Sequence, residues 1–166
     1  MIPFTITDDD IRRAELHLLT HGHPEVTHQD NLIGALGEIA VYNWINHWSP
    51  CYFSDHGCSY DILLGDARTV EVKTMRTSTI PQPHYMVNVA MSCWENKLMT
   101  DLWIFVHVDK TLSSGVIVAY CGADKRDRFR SHFAGELMSN GYEYRFNTMD
   151  CPISELDDPA RMIIHA

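Results

Sequence analysis

The chain predicts a mixed α/β domain, and three features carry that expectation. Helix signals and apolar periodicity dominate up to Trp48, and short strand-like segments divided by turn residues follow from Tyr52. Beyond the midpoint come two near-continuous apolar runs, residues 102–108 and 115–120. Runs of that kind suit central strands covered on both faces. With 166 residues and 45% hydrophobic content, residues 1–166 read as one domain able to bury a sizeable core.

The elements follow in order. Thr7 or Asp8 can cap a first helix to about Leu19, because a side-chain oxygen there satisfies a free amide of the first turn. A loop, His21-Gly22-His23-Pro24, separates it from a second helix that begins near Asp30 and continues through residues 31–48. Strands are expected at about residues 52–54, 60–64 and 69–73, with Gly65-Asp66-Ala67 as a three-residue hairpin turn. Residues 77–84 read as a polar loop, 85–89 as a strand and 92–97 as a short helix. After the two apolar strands, residues 124–138 read as a helix and 142–146 as a late strand. Trp44, Trp48, Trp94 and Trp103 fall at apolar-periodic positions and are assigned to the core. No internal repeat, linker or low-complexity tract interrupts the pattern.

Composition bounds the function. No apolar run reaches membrane-spanning length, and the N-terminal segment carries early acids and arginines unlike a signal peptide, so no membrane association and a cytoplasmic location are expected. Five cysteines (Cys51, Cys58, Cys93, Cys121, Cys151) without CxxC spacing point to free, mostly buried thiols.

Glu38 is the one charged residue in the apolar run 31–48 and shares its helical face with Gly34, Val41, Tyr42 and Ile45. Burying an unpaired carboxylate is costly, so Glu38 must titrate neutral, pair with a distant base or help bind a metal. The following strands supply the rest of a metal site. Side chains alternate along a strand, so Thr69, Glu71 and Lys73 share one face while Val70 and Val72 point to the other. The three-residue turn places Asp61 opposite Glu71, with Cβ atoms about 5 Å apart. Two like charges that close call for a cation.

With Gly37-Glu38 on the helix, Tyr60-Asp61 on the first strand and Glu71-Val72-Lys73-Thr74 on the second, the chain resembles the PD-(D/E)xK nucleases of the restriction-endonuclease-like fold. Residues 34–76 are most similar to archaeal-type Holliday-junction resolvases and related small endonucleases, with Tyr60 in place of the proline of the motif's name. The resemblance implies a central mixed sheet flanked by helices. It also implies a DNA endonuclease dependent on Mg²⁺, with Mn²⁺ able to substitute. Asp61, Glu71 and the Val72 carbonyl would hold the cation, Lys73 would orient or help deprotonate the attacking water, and Glu38 would anchor the outer shell or a second ion. The architecture admits linear duplexes, flaps, four-way junctions and modified or RNA-containing targets; the resemblance brings in branched DNA such as Holliday junctions, whose cleavage requires a homodimer.

Net charge is −9, unusual for a nucleic-acid binder. The bases that remain are clustered: Arg12 and Arg13, Arg76, Lys97, and Lys125 and Arg126 at the head of a basic run. These, with Thr74 and Thr77 after the catalytic strand, are the candidate DNA contacts. Weak general affinity suits an enzyme that reads a distorted structure or is targeted by a partner protein. Two other readings stand beside this one. A zinc module could draw on His21, His23 and His28, or on Cys51, His56 and Cys58, although neither set has the paired spacing of such sites. Alternatively, the chain is a nuclease-fold protein that binds without cutting.

Overall fold

The computed structural model describes residues 1–23, 26–54, 60–97, 99–138, 141 and 143–162. A strand β1 (Ile2–Thr5) precedes helices α1 (Asp8–His21) and α2 (His28–Asn46). Strands β2 (Cys51–Phe53), β3 (Ile62–Leu64), β4 (Thr69–Thr77) and β5 (Met86–Ala90) lead to the short helix α3 (Met91–Asn96). Then come β6 (Leu102–Asp109), β7 (Ser114–Gly122), β8 (Arg130–His132) and β9 (Thr148–Pro152). Six strands form a curled mixed sheet in the order β1-β7-β6-β4-β3-β2, in which β4 and β6 run parallel and the other pairs antiparallel.

Local chemistry explains the helices. Thr7 caps α1 in a reciprocal box: its hydroxyl accepts from the Asp10 amide (3.2 Å), and the Asp10 carboxylate accepts from the Thr7 amide (2.9 Å). Asp8, Asp9 and Asp10 also complement the positive end of the helix dipole. Thr27 caps α2 through the Asp30 amide, so α2 starts two residues ahead of the expected Asp30. Asn31 then clasps the interhelix loop by donating to the carbonyls of His23 (2.8 Å) and Val26 (3.3 Å).

Both helices cover one face of the sheet, where Leu36, Ile39 and Val41 meet Ile62, Val70, Val72, Ile104 and Val106. The second face carries the short helix α3 together with a small sheet, β5-β9-β8, and its core joins Trp94, Trp103, Phe105, Phe129 and Cys151. As expected, β6 is central, every residue from Leu102 to Val108 being buried. Trp94 and Trp103 are core residues and Trp44 packs on its edge, but Trp48 is 37% exposed.

Other differences have physical causes. The chain after β7 forms a 3₁₀ turn (Ala123–Arg128) and then β8, not the expected helix over 124–138. Phe129, Phe133 and Leu137 have helical spacing, yet only Phe129 is buried, and pairing of β8 with β9 overrides the local pattern. Gly135, at φ 91°, takes a left-handed conformation that no helix continues through. Of the late strand expected at 142–146, Tyr142 lies outside the described residues, and the rest contributes one bridge, Leu137 to Glu143. The extended segment there is β9, six residues later. β4 runs on to Thr77 because its parallel register with β6 continues to Thr77 opposite Asp109.

His107 on β6 is buried with neither ring nitrogen hydrogen-bonded among the described residues. Burial pushes its pKa down to about 4. Unfolded chains take up this proton near pH 6.5 and the folded protein does not, so stability is lost as pH falls from 6.5 towards 4. The contribution is on the order of 3 kcal/mol, at about 1.4 kcal/mol per pKa unit. His107→Phe is expected to remove this acid-side loss in urea melts recorded from pH 4 to 7; an unchanged slope would contradict the assignment. Among the described residues no helix is long and apolar enough to cross a membrane.

Candidate active site

The expected hairpin forms. Leu64 and Arg68 close a three-residue loop in which Ala67 adopts φ 68°, and the Asp66 carboxylate grips the Arg68 guanidinium at 2.7 Å. β3 pairs with β4 at Ile62–Val70 and Leu63–Thr69, a register that puts Asp61 opposite Glu71 when continued by one residue. Here β3 ends. The β4 edge at Val72 therefore has no strand partner on that side among the described residues, and its amide donates to the Asp61 carboxylate at 2.7 Å. In a strand a residue's N–H and C=O leave on the same edge, so the Val72 carbonyl also faces the vacated position.

Glu38, Asp61, Glu71, Val72, Lys73 and Thr74 line one cleft of about 310 Å³. Three elements bring them together: α2 from one face of the sheet, β4 across its edge, and the residue just ahead of β3. Gly37 sets the approach of α2, since a Cβ there would stand 1.9 Å from the Thr74 hydroxyl oxygen. Thr74, expected to contact phosphate, is thus packed beneath α2, where its hydroxyl points at the Gly34 carbonyl at 3.5 Å.

The charges are arranged with little slack. Glu71 is 1% exposed, and each of its oxygens takes one ammonium: Lys73 Nζ lies 2.7 Å from Oε1 and Lys97 Nζ 2.6 Å from Oε2. Lys97 also stands 3.9 Å from Asp61 Oδ1. Cys93 Sγ lies 3.9 Å from Glu71 Oε1, and Lys73 Nζ sits 5.9 Å from the centre of the Trp103 ring. Glu38 takes the second of its three options, pairing with a distant base: His17 Nε2 is 2.9 Å from Oε2. The His17 ring stacks on His21 at 4.1 Å, which fixes its position.

Burial pushes the Asp61 carboxyl up to about 7, helped by Glu71 and Glu38 and only partly opposed by Lys73 and Lys97. Burial also pulls Lys73 down, but Glu71, Cys93 and Asp61 outweigh it and hold this lysine above its ordinary range. Lys73 is therefore protonated at neutral pH.

His17 and Cys93 are site residues that the sequence reading does not reach. Lys97 enters it only as one of the clustered bases that could contact DNA, and nothing in its spacing ties it to Glu71. The other proposed DNA contacts are dispersed. Arg12 pairs with Asp9 (3.4 Å), Arg13 bonds Asn43 (3.2 Å), Lys125 is held by Asp157, and Arg126 donates to the Thr100 carbonyl. Thr77 folds its hydroxyl onto the Thr79 carbonyl at 2.8 Å. Arg76 is exposed and makes no ion pair among the described residues, which leaves it available to an anion.

Among the described residues no three His, Cys, Asp or Glu side chains converge as a metal cluster. That covers His21, His23 and His28; His56 and Cys58 of the second zinc candidate lie outside the described residues. Two carboxylates nevertheless suffice for magnesium, which commonly uses one or two and fills its octahedron with waters and substrate oxygens. Asp61 and Glu71 are already approached by one common cation, the Lys97 ammonium, so their spacing admits a bridging positive charge. The donor set fits a hard divalent ion. No protein-family model matches the chain, and no curated protein matches it significantly.

Proposed function

We propose that the chain is a metal-dependent deoxyribonuclease of the PD-(D/E)xK type on a restriction-endonuclease-like fold, cutting phosphodiester bonds of DNA. The observation that carries this reading is the convergence of Asp61, Glu71, Lys73 and Glu38 in one cleft where β3 stops beside β4. Asp61, Glu71 and the Val72 carbonyl would hold Mg²⁺ or Mn²⁺. When bound, the ion supplies Lewis acidity to the phosphate and acidifies a water. Lys73, being protonated, orients that water and offsets charge that builds on the phosphate. Glu38, steadied by His17, accepts a hydrogen bond from water on the α2 side of the cleft. Arg76, exposed and without an ion pair among the described residues, would grip flanking phosphate.

Cleavage is expected with Mg²⁺ or Mn²⁺ and to fail in Ca²⁺ or chelator, because calcium binds oxygen sites in a looser geometry. Full activity in chelator would end the metal reading. Branched DNA remains the proposed substrate class, cut by a homodimer and reached with the help of a targeting partner that compensates for the acidic surface. Native mass measurement alongside cleavage of linear, flapped and four-way DNAs tests this.

A second reading is a nuclease-fold protein that binds without cutting. It is favoured by the internal pairing of the acids, Glu71 with two lysines and Glu38 with a histidine, which leaves the cluster largely neutralised without a metal. DNA retention with no cleavage in either metal would support it.

A further inference from the structure

We infer that Lys97 is a tethered cation occupying the metal position of the proposed nuclease site, and that a divalent ion binds by expelling it. The inference rests on the metal reading above. Lys97 is the residue just past α3, whose anchor is the buried Trp94 one turn earlier. Its ammonium is the group that spans the two proposed ligands, 2.6 Å from Glu71 Oε2 and 3.9 Å from Asp61 Oδ1. Lys73 differs: its ammonium holds the other Glu71 oxygen, Oε1, at 2.7 Å.

An ion coordinated by Glu71 Oε2 at about 2.1 Å cannot share that oxygen with an ammonium 2.6 Å away. Like charges so close repel, so the ion and the ammonium compete for that oxygen. Loading is therefore an exchange of one cation for another, in which Lys97 swings about its own side-chain torsions while Trp94 keeps α3 seated. Two consequences follow. The acids stay neutralised when no metal is bound, and apparent metal affinity is set by competition with Lys97. The displaced ammonium is delivered to a cleft that would hold the phosphates.

Binding of Mn²⁺ without DNA, followed by calorimetry at pH 7.5, tests the exchange on wild type, Lys97→Met, Lys97→Arg and Asp61→Asn, each checked by circular dichroism. Lys97→Met is expected to bind Mn²⁺ about tenfold or more tightly than wild type, and Lys97→Arg no more tightly than wild type. Wild-type binding that Asp61→Asn abolishes, with no gain in Lys97→Met, would overturn the exchange and leave the metal site standing. Absence of Mn²⁺ binding in both wild type and Lys97→Met would overturn both. A second measurement needs no variant: acylation of wild-type protein with an amine-reactive ester, read by peptide mass. Ca²⁺ is expected to speed labelling of Lys97 severalfold while distant lysines such as Lys110 are unaffected. Equal Lys97 labelling under saturating Ca²⁺ would refute the expulsion.

Discussion

Lys73→Ala is expected to bind Mn²⁺ at least as tightly as wild type and to retain DNA in Ca²⁺, yet to lose on the order of 10²-fold or more in single-turnover cleavage. The fold tolerates the change because Glu71 keeps its second ammonium, Lys97, at 2.6 Å. What disappears is a protonated group 2.7 Å from a proposed ligand, aimed into the cleft where the phosphate would lie. Glu38→Gln should impair cleavage as well, since His17 would lose its anionic partner and the α2 side of the cleft would present a neutral amide in place of a carboxylate. Wild-type single-turnover rates in both variants would refute the site as assigned.

The second large effect is a contrast in stability between two carboxylates facing each other. From their facing positions across the hairpin alone, neutralising either acid would relieve repulsion. The ion pairs divide them. Glu71→Gln strands two ammonium groups in a buried setting, and removing one partner of a buried ion pair costs about 3–5 kcal/mol. For a chain of this size that corresponds to a fall in Tm of about 10 °C, at about 2–4 °C per kcal/mol. Asp61→Asn acts in the opposite direction. Its carboxyl, pushed up to about 7, keeps its proton in the folded protein where the unfolded chain releases it near pH 4. Stability associated with Asp61 is therefore complete below pH 4 and declines as pH rises to 7, by an amount on the order of 4 kcal/mol. Asp61→Asn should melt above wild type at pH 8 and close to it at pH 4. Melting below wild type at pH 8 would mark Asp61 as a structural anion. Over pH 4–6.5 the Asp61 and His107 effects have opposite slopes, so the single variants reveal what the wild-type curve conceals.

The site was legible where neighbours in sequence decide geometry. Strand alternation fixed Glu71 and Lys73 on one face, a three-residue turn fixed Asp61 opposite Glu71, and a lone charge on an apolar helix marked Glu38. What was not legible depends on how distant elements dock. His17 reaches Glu38 because α1 packs on α2, and Lys97 reaches Glu71 because α3 seats through Trp94 on the second face. The same holds for the fold. The helices and the β3–β4 hairpin announce themselves through caps and turn residues. β1, four residues including Pro3, and β9, which buries Asp150 against His132 (3.3 Å), carry no periodic signal. They exist because partner strands await them.

Gly37 links the two faces of this molecule. Thr74, seated against it, belongs to the strand that presents Lys73 on the opposite side of the sheet, and Glu38 is the next residue along α2. Helix and strand are thus keyed together at one point, one residue from a proposed site residue on each side. Side-chain size at position 37 acts as the shim of the cleft: its width is machined by a hydrogen atom where any other residue would insert a carbon.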